Sequence, residues 1–149
     1  MRKDIGLCRG KRKDNGKWVE GFLVPIRVNC YDKGYEIIEK DGIDYDEFDY
    51  YHPSFCSDRV IPETVGEYTG LRDCKRTKKY PKGQMIFEGD IMETAVCGLK
   101  HHIGVVQFVD GSFGLRCTDG DAFFLCFVAG NYTVIGNVSD NPELLEQKQ

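Results

Sequence analysis

The chain has 149 residues, of which 41% are hydrophobic and 30% are charged. This composition is that of a soluble globular protein of one domain, and it excludes a disordered chain, a collagen and a membrane-spanning protein. Because 20 basic residues stand against 24 acidic ones, the net charge is −4 and bulk attraction to nucleic acid is not predicted.

The first predicted element is a β-hairpin. Strand-like runs at residues 5–12 and 17–24 flank the turn sequence Asp14-Asn15-Gly16. An Asn-Gly pair between two such runs is the strongest short-range hairpin signal. Pro25 follows, and because proline has no N–H to donate, we expect it to limit the second strand to an edge or a bulge.

Two more strands follow, with an irregular stretch between them. Residues 35–38 form a short strand candidate, and residues 43–57 mix acids and aromatics without a clear period. Residues 66–71 read as a strand that a glycine, Gly70, interrupts.

The second half of the chain has the more regular pattern. A Gly89-Asp90 turn divides residues 86–93, and the turn Asp110-Gly111 joins strands at 103–109 and 113–117. Residues 122–128 are apolar on both faces, which predicts a central strand, and residues 132–135 close the set. Strands of this length at this spacing indicate a small barrel or sandwich.

Only the C-terminal tail has a helical pattern. Asn141 is a good N-cap residue, and Pro142 suits the first helical position. Leu144 and Leu145 would then pack this short turn against the barrel. We therefore predict a mostly β protein, with a β-rich N-terminal region over residues 1–64 packed on a small barrel and helical turn over residues 65–149.

Cysteine usage and the N-terminus indicate a cytoplasmic protein. The basic N-terminus is not followed by an apolar run of about 7–15 residues, so we expect no signal peptide. None of the seven cysteines has the C-x-x-C spacing of a zinc or redox site, and we expect free thiols, most of them buried. They are Cys8, Cys30, Cys56, Cys74, Cys97, Cys117 and Cys126.

One cysteine lies close to two histidines. Cys97, His101 and His102 place three possible metal ligands within six residues. Adjacent histidines on a strand point to opposite faces, however, so both rarely reach one ion. We expect an exposed loop here and predict no metal ligand, no cofactor and no catalytic residue.

Charge is segregated along the chain. Residues 2–17 carry seven basic and two acidic residues, a net of +5, and residues 72–82 carry six and one, again +5. Residues 36–49 carry seven acidic residues and one basic residue, a net of −6. Either these charged segments are solvated surface loops, or the oppositely charged segments contact one another within the protein or between copies of it.

Two functional alternatives rest on particular residues. Glu88 and Asp90 lie two apart and could hold a divalent metal for phosphodiester cleavage, although an Asp in such a turn usually bonds to its own backbone. A basic and aromatic stretch could instead bind nucleic acid by phosphate contact and base stacking. Its residues are Arg72, Lys75, Arg76, Lys78, Lys79, Tyr80 and Lys82.

Four segments, taken in order, resemble the YopX-like family of phage and prophage proteins. They begin with Cys8-Arg9-Gly10-Lys11-Arg12 and the Asp14–Val24 stretch, and continue with the stretch from Val60 to Asp73 that contains Tyr68-Thr69-Gly70-Leu71. Glu88-Gly89-Asp90-Ile91 follows, and then Ile135-Gly136-Asn137 with Asn141-Pro142-Glu143-Leu144. Family members commonly carry an Asn-Gly turn after the position of Asp73, where this chain has the longer stretch 74–83. Residues 29–59 and 94–102 match no family pattern.

This resemblance implies a mostly β protein with an SH3-like barrel, encoded by a phage or an integrated prophage, and it implies no activity. We therefore expect a non-catalytic interaction module that self-associates in the host cytoplasm and acts on a host or phage macromolecule. Nucleic-acid binding and metal-dependent phosphodiester cleavage are the alternatives.

Overall fold

The computed structural model describes residues 4–27, 29–31, 33–39 and 57–146. The chain is mostly β, as predicted, and divides into two compact units, one ending at Glu67 and the other beginning at Tyr68. The predicted boundary at residues 64/65 lies three residues earlier. That the N-terminal region packs on the barrel stays a prediction.

In the first unit, antiparallel strands are built around the predicted hairpin. The strands are β1 (Leu7–Lys11), β2 (Trp18–Arg27), β3 (Lys33–Glu39) and β4 (Ser57–Arg59), and they lie in the order β4-β3-β2-β1. The start of β5 (Gly66–Arg72) pairs with β1 through Gly66 and Glu67. A small core of Val19, Ile37 and Val60 lies within this unit.

Pro25 lies in a part of β2 that has a partner strand on one side only. Strand β2 is not an edge strand, because it pairs with β1 on one side and with β3 on the other. Pairing with β1 extends only to Phe22, however, so Pro25 faces a partner strand only through Tyr35 of β3. The missing N–H therefore lies where the first partner strand has already ended.

In the second unit, β5 continues and pairs with β6 (Met85–Phe87), with a bulge between Tyr68 and Arg72 where Gly70 has a φ of +82°. The other strands here are β7 (Asp90–Thr94), β8 (Ile103–Val109), β9 (Ser112–Cys117), β10 (Ala122–Phe124) and β11 (Tyr132–Asn137). They form an antiparallel sheet in the order β10-β9-β8-β7-β11, curled into a half-barrel. An SH3-like arrangement of these strands stays a prediction.

The β8–β9 hairpin follows the register that its turn dictates. Asp110 and Gly111 have φ values of +51° and +81°, the left-handed conformation that a two-residue turn of this type requires at both positions. Val109 therefore pairs with Ser112, and the same register continues to Gly104 opposite Cys117.

The prediction of a central strand at residues 122–128 is wrong. Strand β10 has three residues and lies at the edge of its sheet, and a one-turn helix, α1 (Leu125–Val128), follows it directly. Leu125 is fully buried, whereas Phe124 is 61% and Phe127 78% exposed. The continuous apolar run thus does not mark a strand that is buried on both faces.

The main core of the second unit lies under this sheet. Its buried members are Ile86, Met92, Val106, Leu115, Cys117, Leu125, Ala129 and Tyr132. The C-terminal turn is a 3-10 helix over Pro142–Leu145 rather than an α-helix, and the Asn141 side chain does not cap it. Asn141 Oδ1 instead accepts a hydrogen bond from the Asn137 N–H at 3.4 Å.

Candidate functional site

The turn between β6 and β7 holds Glu88 and Asp90, the two acids suggested for metal-dependent cleavage. Asp90 is fully buried, and its Oδ2 accepts a hydrogen bond from the Phe87 N–H at 2.8 Å. Gly89 between them donates its N–H to the Val106 carbonyl oxygen at 2.8 Å. These contacts tie the turn to the sheet, so the geometry does not favour a catalytic pair of carboxylates at this position.

The basic loop, residues 73–84 between β5 and β6, has a rigid base. Asp73 is 6% exposed, and its Oδ1 accepts a hydrogen bond from the Gln84 N–H at 2.8 Å. Its Oδ2 accepts from the Val134 N–H at 3.0 Å and from the Thr133 hydroxyl at 3.1 Å. One buried carboxylate therefore fixes both ends of the loop to β11.

Cations cover the outer part of the basic loop. Lys75, Arg76, Lys78, Lys79 and Lys82 are exposed, and none of them forms an ion pair with any acid among the residues that the structure describes. The Lys79 ammonium lies 5.1 Å from the centre of the Tyr80 ring. The basic and aromatic residues predicted as a nucleic-acid surface thus share one exposed loop.

Phe124 and Phe127 form an exposed aromatic surface at the edge of the second unit's sheet. Their ring centres lie 6.1 Å apart in an edge-to-face arrangement. Single exposed apolar side chains are normal on a protein, but two neighbouring and largely exposed phenylalanines indicate a contact surface. No charged residue lies in the segment 122–129 that carries them.

The suggested ligand trio of Cys97, His101 and His102 is not brought together. Cys97 is exposed in the loop between β7 and β8. The side chain of His101 is 58% exposed, and its Nε2 lies 3.4 Å from Glu93 Oε2. His102, whose side chain is 7% exposed, lies buried rather than in the exposed loop that we expected.

His102 has other neighbours, and together they form what we call the histidine cluster: His102, Cys117 and Asp119. The possible ligand atoms of these three residues all lie within 4.8 Å of one another. His102 Nδ1 is 3.0 Å from Asp119 Oδ2, and Asp119, although it belongs to an exposed turn, keeps its side chain only 15% exposed.

The backbone around the histidine cluster is well fixed. The His102 N–H donates to Thr94 Oγ1 at 2.9 Å, and the His102 carbonyl accepts from the Thr94 N–H at 3.0 Å. In the turn after β9, the Cys117 N–H donates to the Asp121 carbonyl at 2.8 Å. The Asp121 N–H in turn donates to Asp119 Oδ1 at 3.1 Å. Both sides of the cluster are therefore held in place.

The pKa values of Asp119 and Cys117 are shifted in opposite directions by burial and by the charged residues at the solvent-facing side of the cluster, which we call its mouth: Lys100, Asp119 and Asp121. Hydrogen bonds from Lys100 and from the Asp121 backbone lower the pKa of Asp119 to about 2. Burial, with the nearby Asp119 and Asp121, raises the pKa of the Cys117 thiol to about 11. Lys100 Nζ lies 2.9 Å from Asp119 and 3.2 Å from Asp121, so it is the cation that balances this acidic mouth.

Burial of the thiols differs from the sequence expectation. None of the six described cysteines forms a disulfide, but only Cys8 and Cys117 are buried, while Cys30, Cys97 and Cys126 are exposed. The seventh, Cys56, lies outside the described residues, as do most of the acidic residues 36–49.

The first unit carries charged groups that already have partners. Arg9 and Lys11 lie over the Trp18 ring, 4.9 and 5.5 Å from its centre. Arg12 pairs with Asp14 at 2.8 Å and with Asp58 at 3.0 Å, and these side chains line a shallow, open depression. Because the depression is open and its charges are paired, it does not make a defined ligand site.

Comparison with known proteins identifies the family of this chain. Across the described ranges, no helix has the length and apolar character needed to cross a membrane. No curated protein matches the chain. A family model described as YopX protein matches residues 8–146, which is nearly the whole chain, and the protein therefore belongs to the YopX family.

Proposed function

We propose that this protein is a non-catalytic interaction module that self-associates through the aromatic surface of Phe124 and Phe127. The observation that carries the proposal is the exposure of these two neighbouring rings, 61% and 78%, beside the free edge of β10. Burying two such side chains between copies removes large apolar areas from water, and this is the dominant favourable term in association.

A second copy of the chain is the occupant that this surface suits best. A two-fold interface brings the same patch of both subunits together, so like charges in the patch would oppose it. Residues 122–129, which carry the two rings, include no charged side chain, so this segment itself adds no like-charge repulsion between two copies. The basic segments and the acidic residues 36–49, with nets of +5 and −6 in the sequence, offer complementary charge for association.

The place of action that we propose is the cytoplasm of a host cell that carries the phage or prophage. Three exposed thiols, Cys30, Cys97 and Cys126, and the absence of disulfides among the six described cysteines are typical of a reducing compartment.

Light scattering coupled to size-exclusion chromatography tests self-association. The wild-type protein is expected to show a concentration-dependent mass above that of the monomer, at low and at high salt. Phe127→Ser should shift it to the monomer. Phe108→Ser is the matched control, because Phe108 is an exposed phenylalanine, 53% exposed, whose ring packs against Phe113 on the β8–β9 hairpin.

A wild-type monomer at every concentration and salt would refute self-association. Association that disappears at high salt and survives Phe127→Ser would show that the charged segments, not the aromatic surface, hold the copies together.

Nucleic-acid binding by the basic loop is the second candidate function. The specific observation in its favour is that the exposed cations Lys78, Lys79 and Lys82 share a loop of fixed base and form no ion pair among the described residues. Each phosphate contact releases a counterion and adds about 0.9 to the slope of log K against log salt.

The test replaces Lys78, Lys79 and Lys82 together by Gln and measures binding to single- and double-stranded DNA over a range of salt. The slope is expected to fall by as much as about 3. A triple Gln replacement of the exposed Lys13, Lys17 and Lys33 removes the same charge elsewhere and should leave the slope nearly unchanged. Absence of any gel shift at low salt would eliminate this candidate.

A further inference from the structure

The open end of the β8–β9 hairpin brings three different ligand types together. The strand pairing ends with Gly104 opposite Cys117, and the Thr118 N–H still donates to the Ile103 carbonyl at 2.9 Å. His102 directly precedes β8, and Asp119 lies in the turn that follows β9. The ligand atoms of His102, Cys117 and Asp119 therefore meet at this end of the hairpin, within 4.8 Å of one another, and Gly104 adds no side chain between them.

The imidazole of His102 is buried and not satisfied. Its side chain is 7% exposed, and Nδ1 is a buried atom that makes no hydrogen bond. Asp119 Oδ2 lies only 3.0 Å away, but out of line with the ring N–H. Leaving a polar group buried without a hydrogen bond costs free energy, so native structures rarely do so without a reason.

A metal ion would satisfy this nitrogen. Two atoms that bind the same ion lie about 3.3–3.8 Å apart, because Zn–N and Zn–O bonds are about 2.0–2.2 Å and Zn–S bonds about 2.3 Å long. The candidate ligand atoms lie within 4.8 Å of one another, and the nitrogen–oxygen distance is already 3.0 Å. Small side-chain rotations are enough to bring all three onto one ion.

We propose that His102, Cys117 and Asp119 form a binding site for one Zn²⁺ ion. An imidazole, a thiolate and a carboxylate together are the ligands of a borderline-soft ion and do not suit Mg²⁺ or Ca²⁺, which prefer oxygen alone. Binding of the ion displaces the proton of the Cys117 thiol into solvent.

The charge around the cluster supports this assignment. The carboxylates of Asp119 and Asp121 make the mouth of the cluster negative, and Lys100 now lies between them. Lys100 is 64% exposed on a flexible side chain, so it can swing away when a divalent cation takes its place. It therefore competes with the metal instead of blocking it.

Cobalt is the probe that reports the thiolate directly. The full-length, chelator-treated protein is titrated with Co²⁺ and then with Zn²⁺. We expect one equivalent of Co²⁺ to produce a thiolate-to-cobalt charge-transfer band in the near ultraviolet, and Zn²⁺ to displace it. Absence of this band, or its persistence in Cys117→Ser, would overturn the proposal.

Adjacent histidines provide a matched pair of variants. His102→Gln is expected to weaken Co²⁺ binding by more than about 100-fold, since changes outside the ligand shell alone cost about 10–100-fold. His101→Gln changes the exposed neighbour and should leave binding unaltered. If the His101 variant instead lost the site, the assignment would be wrong.

Variants of Asp119 and Lys100, which lie in the surface turn and loop, keep the proposal testable if the variants at the buried His102 and Cys117 do not fold. Asp119→Asn removes a ligand and should weaken Co²⁺ binding, whereas Lys100→Gln removes the competing cation and should strengthen it. Equal affinities in these two variants, both unchanged from the wild type, would contradict the site.

Discussion

Asp73 and Asp119 are both carboxylates with shielded side chains, and they differ in what surrounds them. Asp73 accepts hydrogen bonds from Gln84, Thr133 and Val134, so both of its oxygens are used by the fold. Asp119 faces an ammonium, a buried thiol and an imidazole nitrogen that makes no hydrogen bond. The fold satisfies the hydrogen-bonding capacity of Asp73 without a ligand. Beside Asp119, a bound cation would satisfy the His102 nitrogen that has no hydrogen bond.

This difference shows where function can be sought in the chain. The segments that carry the family resemblance contain Asp73, Asp90, Asn137 and Asn141. These side chains hold a loop base, a turn and the C-terminal bend. The histidine cluster lies outside those segments. Thus the residues that carry the family resemblance stabilise the fold, and His102 Nδ1, a buried polar atom without a hydrogen bond, lies outside them.

The largest effect is expected from Asp73→Ala. It leaves the Gln84 and Val134 N–H groups and the Thr133 hydroxyl without their acceptor, which should lower the free energy of unfolding by about 3–5 kcal/mol. Urea denaturation measures it, with the exposed neighbour Lys75→Ala as the control. A loss below about 1 kcal/mol would mean that water replaces the carboxylate and that Asp73 is not essential to the loop base.

Asp90→Ala should have the next largest effect. It removes the buried acceptor of the Phe87 N–H, at an expected loss of about 1–3 kcal/mol in unfolding free energy. Glu88 on the same turn is only half-buried, so Glu88→Ala should change the free energy of unfolding by less than about 0.5 kcal/mol. Equal losses in the two variants would show that the acids act as a pair, against the structural role assigned to Asp90.

Thr133→Val is a smaller change at the same buried carboxylate as Asp73→Ala. Valine keeps the shape of threonine, so the variant removes one hydrogen bond to Asp73 and leaves the two backbone ones, for a loss of about 1 kcal/mol. Combined with Asp73→Ala in a double-mutant cycle, its effect should largely vanish. Full additivity would contradict the direct contact.

The smallest effect on stability is expected near Asp119, the second of the two carboxylates compared above. Asp121→Asn in the metal-free protein keeps both backbone hydrogen bonds of the turn and should alter the free energy of unfolding by less than about 0.5 kcal/mol. The Asp121 side chain is 49% exposed, so water screens its ion pair with Lys100 and the loss of that pair costs little stability. A loss above about 1.5 kcal/mol would place the acidic mouth among the structural elements of the fold.

Hairpins are the part of this fold that the sequence predicts well. Turn residues such as Gly16, Gly89 and the pair Asp110-Gly111 adopt the positive φ that few residues favour, and each marks a turn in the structure. The run at residues 122–128 is predicted wrongly because a continuous apolar pattern does not distinguish a buried strand from a short helix with one buried residue, Leu125.

The sequence indicates one of the three residues of the candidate site, His102, as a possible ligand, but not its partners Cys117 and Asp119. The Asp110-Gly111 turn fixes the register that sets Gly104 opposite Cys117, and His102 and Asp119 lie two residues beyond this pair, one on each side. Proximity along the chain pointed instead to Cys97 and His101. Sequence neighbours on a strand face opposite ways, and the side chain of His101 is indeed 58% exposed while that of His102 is 7% exposed.

The abrupt end of β10 limits how two copies can meet at this edge of the sheet. With three residues before the chain turns into α1, the sheet edge offers too few free N–H and carbonyl groups for another strand to extend it. Copies that meet there as proposed do so through side chains. Because the proposed contact is two-fold and uses the same surface of both copies, the expected product is a closed dimer and not a growing fibre.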